Sequence, residues 1–221
     1  WSGACSGTGT CTVSMTTARN VGATFAAAPV AATVRPLANT SPRVLLNDSA
    51  TVARLKNALA ANSAGAARFK AMVDNELLHP GTNYAFQAWF AALMYKLTDD
   101  VKYANFAVNK VDTFVAAEEA RIRGGMRAEV AGDSYLEVGD MIGDVALVYD
   151  WANDRLTQSQ KTRWVDYMNT TLTNLWDPDH ATWGGVSYPW SGWSINDPFN
   201  NYYYSFLEAT MFTGLATYAD N

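Results

Sequence analysis

Half of the chain's eight tryptophans (Trp176, Trp183, Trp190 and Trp193) fall between Trp176 and Tyr204, with Tyr188, Phe199 and the run Tyr202, Tyr203, Tyr204. Glycines, prolines and short polar residues separate them without a helical or alternating period. An aperiodic stretch of this length in a compact domain is usually functional or disordered, and disordered segments are poor in aromatics. The reading is therefore an ordered surface loop that builds a binding cleft. Trp183, Tyr188, Trp190 and Trp193 suit stacking on the CH faces of sugars, leaving hydroxyls to polar neighbours. The other use of such rings is to anchor the loop on the helices, and about half are expected to do each. His180, in the same loop, is either a base or hydrogen-bond donor, or an exposed structural side chain. Asn200 and Asn201 precede a helical pattern, so one is expected to cap it.

The charged residues narrow the chemistry. From Trp164 to Asn221 there is no Lys or Arg, whereas Asp166, Asp177, Asp179, Asp197, Glu208 and Asp220 are all acidic. A polyanion would be repelled there unless other loops supply cations. Arg121, Arg123 and Arg127, around Gly124-Gly125, are the candidates; otherwise they form a solvated loop end. Glu137, Asp140 and Asp144 share a helix face, as acid and base carboxylates might. Glycosidases, however, place two carboxylates roughly 5–9.5 Å apart on either side of the scissile bond, and neighbours on one helix are poorly placed for that. Polar contacts at a helix junction are the expectation, with Gly139 and Gly143 permitting close approach. Asp177 and Asp179 are a weak pattern for structural Ca²⁺, lacking a full ligand loop. With two histidines and one cysteine pair, no transition-metal site or other cofactor is expected. His79, before Pro80, reads as a helix-end cap.

The 221 residues suit one domain, or one domain plus part of another. Apolar residues make up 49% and charged ones 17%, enough for a sizeable core. No run approaches the roughly 20 apolar residues of a membrane-spanning helix. The net charge of −5 argues against a nucleic-acid partner. The chain starts at Trp1 without an initiator Met and stops just after a helical pattern, so it reads as a piece of a longer protein. Cys5 and Cys11, in a Gly/Ser/Thr-rich segment, read as a local disulfide of an exported protein rather than a metal site.

Residues 10–15 and 21–25 are short β-prone runs joined by Thr16 to Asn20, a predicted hairpin. Residues 27–42 are Ala- and Pro-rich and read as a linker. Beyond Pro42 the pattern is helical. Asp48 or Ser49 caps a first helix carrying Val52, Leu55 and Leu59, and a second carries Phe69, Met72, Val73 and Leu77. A third is predicted over 83–97, and a fourth follows Asp99 or Asp100. A fifth spans 134–154, and a sixth, 158–175, opens on a capping box at Thr157 and Gln160. The seventh runs from about Asn201 to Tyr218. Successive helices on mostly short turns are antiparallel neighbours, so the domain is all-α: a bundle, a repeat array or an α/α toroid.

Two resemblances add to this. The Trp-Ser-Gly opening, the cysteines around Ser-Gly-Thr-Gly-Thr and the closing Ala-Thr-Phe resemble the end of extracellular bacterial repeats of the internalin B type, over residues 1–26. That resemblance implies a secreted or cell-surface bacterial protein. Pro42-Arg43-Val44-Leu45-Leu46, Ile142 to Trp151 followed by Leu156-Thr157, Asn200-Asn201-Tyr202 and Thr213-Gly214-Leu215-Ala216 resemble the N-terminal helical domain of heparinase II/III-like and alginate-lyase-like polysaccharide lyases, over 43–221. It implies an incomplete (α/α) toroid of antiparallel helix pairs, preceded by a small β-hairpin remnant, with loops lining a saccharide cleft.

Such lyases remove the proton beside a uronate carboxylate, stabilise the resulting enolate-like charge, and return a proton to the leaving oxygen. The resemblance implies that Asn200 or Asn201 neutralises the carboxylate. Tyr202 stands where relatives often carry His, so it either replaces that base or packs in the core. A further catalytic Tyr would lie beyond Asn221, and the piece alone is expected to be inactive. The substrate expected is an acidic polysaccharide, with a modestly charged uronate polymer fitting the acidic loop better than a heavily sulfated one. A glycoside hydrolase on an α/α scaffold and a non-catalytic carbohydrate-binding surface protein are the alternatives.

Overall fold

The structure is a computed structural model that describes residues 1–24, 40–218 and 220. The chain divides into two compact units, 1–36 and 37–221. Most of the expected linker, and Phe25 at the end of the expected hairpin, lie outside the described residues.

In the first unit, β1 (Ser2–Gly3) pairs antiparallel with β2 (Val21–Gly22). This corrects the hairpin predicted from 10–15 and 21–25: residues 10–15 form no strand. Cys5 and Cys11 are disulfide-bonded, which closes 5–11 into a ring, and the Trp1 indole donates to the Gly9 carbonyl at 2.8 Å. The chain returns to the start only at Asn20, whose carbonyl accepts from Ala4 N at 2.8 Å. A Cβ on Gly3 would sit 2.2 Å from that carbonyl oxygen, so only glycine fits the crossing.

The second unit is helical. α1 (Ser49–Ala60) starts where the Asp48 carboxylate accepts from Ala50 N and Thr51 N, and α2 (Ala64–Leu78) follows a short turn. α3 (Ala88–Thr98) begins five residues later than the periodicity predicts. Buried Glu76 accepts from Gly81 N and Asn83 N, and those bonds hold 81–83 in a loop. Asp100 caps α4 (Val101–Arg123). α5 (Val138–Trp151) is shorter at both ends than predicted: Asp133, Ser134 and Tyr135 precede it with positive φ, and a 3₁₀ turn, Asn153–Arg155, follows. α6 (Gln158–Trp176) opens on the Thr157–Gln160 capping box. A two-stranded ribbon, β3 (Thr182–Trp183) and β4 (Val186–Ser187), interrupts the aromatic loop before α7 (Asn201–Ala216).

Side-chain pairings give the helix directions. Asp144 of α5 meets Ala88 and Trp89 of α3, while Asp154 just beyond α5 meets Tyr95, so α3 and α5 run parallel. Gly139 N donates to Ser205 Oγ at 2.7 Å and a Cβ on Gly143 would lie 3.3 Å from Phe212, so α5 and α7 are parallel too. At Gly139 a Cβ would be 2.9 Å from the Ser205 carbonyl; the two glycines allow the close helix approach foreseen from sequence. α4 and α6 form a second parallel pair through Arg163–Asp112 (3.0 Å), Arg163–Glu119 (2.9 Å) and Tyr167–Glu118 (3.0 Å).

A buried lock closes the unit at the start of its chain. Arg43 N and Val44 N both donate to Asp150, at 2.7 and 2.8 Å, and the Trp151 indole donates to Val44 O at 3.0 Å. The Arg43 guanidinium reaches the Ala216 carbonyl at 2.6 Å and Asp220 at 3.0 Å.

Candidate functional site

Because α3, α5 and α7 are parallel, their N-termini share one end of the helical unit. The connections 79–87, 124–137 and 177–200 gather there, whereas the other end carries the shorter connections 61–63, 99–100 and 152–157. Long loops positioned by a rigid scaffold are where binding residues concentrate.

Two of these loops interlock. The Tyr188 hydroxyl donates to Gly125 O at 2.5 Å, and the Tyr135 and Trp190 rings lie 5.1 Å apart. Asp133, Ser134 and Tyr135 take φ of 41°, 52° and 63° in succession, each costing roughly 1–2 kcal/mol for an L-residue. Burial of the Tyr135 ring offsets that strain, and strain of this kind gathers at functional sites. Burial also pushes the Tyr135 phenol up to about 12.

Beside this corner, loop 79–87, α4 and α5 enclose a cleft of about 920 Å³, within the range of small-ligand sites. Phe86, Phe106 and Phe114 give it apolar walls, Tyr84 stands fully exposed at its rim, and Lys110, Asp140 and Asp144 face it. Asp144 accepts from Ala88 N at 2.8 Å and Trp89 N at 2.7 Å, capping α3 from another helix, and Asp140 accepts from Gln87 Nε2 at 3.1 Å. These are helix-junction contacts. Burial outweighs the two amide donors and raises the Asp144 carboxyl to about 6, with Lys110 opposing and Asp140 adding to the rise.

The pH consequence has a definite sign. Between the ordinary carboxylate range and about pH 6 the folded chain holds a proton that the unfolded chain has lost. Asp144 therefore contributes most stability at the acid end, and the contribution is lost as pH rises through about 6. Asp144→Asn is expected to lower stability by about 1–2 kcal/mol at pH 4–5, since one amide loses its acceptor. The gap from wild type should narrow toward pH 7 in urea titrations; a gap independent of pH would contradict the assignment.

The residues singled out from sequence divide between cap, core and surface. Asn200 Oδ1 accepts from Tyr202 N at 2.9 Å and caps α7. Asn201 is exposed on the first turn, and its amide has no partner among the described residues. The half-buried Tyr202 ring packs edge-on against Trp193, 5.0 Å between centroids. Burial and the facing Asp133 raise the Tyr202 phenol. His180 is exposed and pairs with Asp177 at 2.8 Å; that hydrogen bond raises its pKa.

Trp183 is fully buried, so its expected role in stacking on a ligand is corrected: it is core, tilted against Tyr167 at 6.5 Å. Trp190 is an anchor as well, donating to Asn174 O at 3.1 Å, and Tyr188 pins its loop to Gly125. Trp193 alone of the four is predominantly open, at 51% exposure. Arg123 is exposed near Glu119 at 3.9 Å. Arg127 is exposed and close enough to favour the Tyr135 phenolate. Asp177 is engaged by His180, and among the described residues no group of three or more His, Cys, Asp or Glu could hold a metal ion.

None of Asn200, Asn201, Tyr202 and His180 lines the cleft. Sequence reading missed Tyr84, because the apolar run of α3 absorbs it, and the left-handed turn, whose signal was confined to Gly132-Asp133-Ser134. No family model, curated protein or solved structure matches the chain.

Proposed function

We propose that the chain is the saccharide-binding helical part of a secreted bacterial polysaccharide lyase, which cleaves a uronate-containing polymer by β-elimination on an incomplete (α/α) toroid. The observation that carries this reading is the gathering of the three longer connections at the N-termini of α3, α5 and α7, with Asn201, Tyr202 and exposed Trp193 together at one corner. Asn201 would donate its free amide to the uronate carboxylate; one donor aimed at developing charge is worth about 2.7–4 kcal/mol. Tyr202, kept protonated by burial and Asp133, would return the proton to the leaving oxygen. Trp193 would offer a ring face to the sugar, and Arg123 at the end of α4 and Arg127 beside Tyr135 would be the sources of positive charge. The Cys5–Cys11 disulfide supports an oxidising, exported setting.

A second reading, glycoside hydrolysis, is favoured by Asp140 on α5 and Glu208 on α7. They lie on adjacent helices, and burial together with Asp140 raises the Glu208 carboxyl. Digesting uronate polymers with the protein separates the two. Elimination yields ultraviolet absorbance of the unsaturated product, and Asn201→Ala should reduce it at least a hundredfold. Reducing ends without that absorbance would replace elimination by hydrolysis, and binding without either signal would leave a non-catalytic carbohydrate-binding protein.

A further inference from the structure

The cleft beside α3 has the wrong charge for a uronate. Glu76, Glu129, Asp140 and Asp144 line it against one cation, Lys110. Glu76 and Asp144 already accept backbone N–H bonds, and the field of Lys110 acts on both. Asp140 and Glu129 are exposed at the rim, and neither forms a salt bridge among the described residues. Their neighbour Glu208 adds further negative charge beside Asp140. A carboxylate-bearing sugar would be repelled there, while a protonated amine would find two unneutralised acceptors.

The walls define the rest of the ligand. Tyr84 presents a fully exposed ring at the rim, and Phe86, Phe106 and Phe114 give apolar depth. Flat rings pair with the CH face of a pyranose, and the side chains of Gln87, Asn109 and Thr113 offer donors and acceptors for its hydroxyls. The cleft volume of about 920 Å³ exceeds one hexose and suits a short oligosaccharide.

We infer that this cleft binds a saccharide bearing a free, protonated amine: a 2-amino-2-deoxyhexose unit stacked on Tyr84, its ammonium held between Asp140 and Glu129. The inference rests on the saccharide reading of this face and not on elimination chemistry. It divides the face by charge, with the amine in the cleft and the carboxylate near Asn201, which does not line the cleft.

Matched oligosaccharides test it. Glucosamine tetramer and its N-acetylated counterpart differ at the amine alone, and binding of each to the 221-residue chain is followed by calorimetry at low salt. The amine form is expected to bind at least tenfold tighter, with the preference falling as salt rises toward 0.5 M. Asp140→Asn with Glu129→Gln should abolish the preference while leaving binding of the acetylated tetramer in place, because neither carboxylate carries a core contact. Tyr84→Ala should weaken both ligands alike. Equal binding of the two tetramers, or no binding of either, overturns the inference. A failure of elimination alone appears only in the absorbance assay and leaves this result standing.

Discussion

Asp150→Ala is expected to lower the unfolding free energy of the helical unit by roughly 3–5 kcal/mol, seen as a fall in the urea midpoint at unchanged slope. The carboxylate is fully buried and accepts from two consecutive backbone amides, Arg43 N and Val44 N. Removing it strands both donors in a dry site, at about 1–3 kcal/mol each. Burial raises the Asp150 carboxyl above its ordinary value despite those donors and Arg43. Asp150→Asn should cost less, because its amide oxygen still accepts. A change below about 0.5 kcal/mol for Asp150→Ala would mean that the lock does not hold the domain.

Trp183→Ala and Trp193→Ala should separate cleanly. Trp183 has no exposed surface, and truncating a buried Trp costs roughly 3–5 kcal/mol. Trp193 is half open and touches chiefly Tyr202, so its removal should change stability by no more than about 0.5 kcal/mol. It should instead weaken uronate-oligosaccharide binding about fivefold, the ~1 kcal/mol of one ring contact. Thermal denaturation and calorimetry read the two effects independently. Lost affinity with Trp183→Ala at unchanged stability would reverse the assignment of the rings.

The helices were legible because their starts are written locally. Asp48, Asp100 and the Thr157–Gln160 box cap α1, α4 and α6 as their sequence context demands. α3 and α5 were misjudged at their ends because their boundaries are set from a distance. Glu76 fixes the loop before α3, Asp144 caps α3 from another helix, and three left-handed residues delay α5. Single-sequence periodicity carries no record of such long-range bonds. The aromatic loop shows the same limit: composition marks it as ordered, yet Trp183 and Trp193 are alike in type and differ only in what packs over them.

The stretches that carry the lyase resemblance also have a structural explanation. Arg43, Asp150, Trp151 and the end of α7 converge in the buried lock, so those residues report how the helices are held. Asn201 and Tyr202 stand apart from that lock, and it is through them that the chemistry is to be tested.

The unequal ends of the helical unit bear on how such a protein could diversify. Helix register is set at 61–63 and 99–100, where a single inserted residue would rotate one helix against its neighbour. At the opposite end, doubling the length of a connection costs only about 0.6 kcal/mol of closure entropy. Grafting and length variation of 79–87, 124–137 or 177–200 could therefore change what that end presents while the helices beneath stay in place.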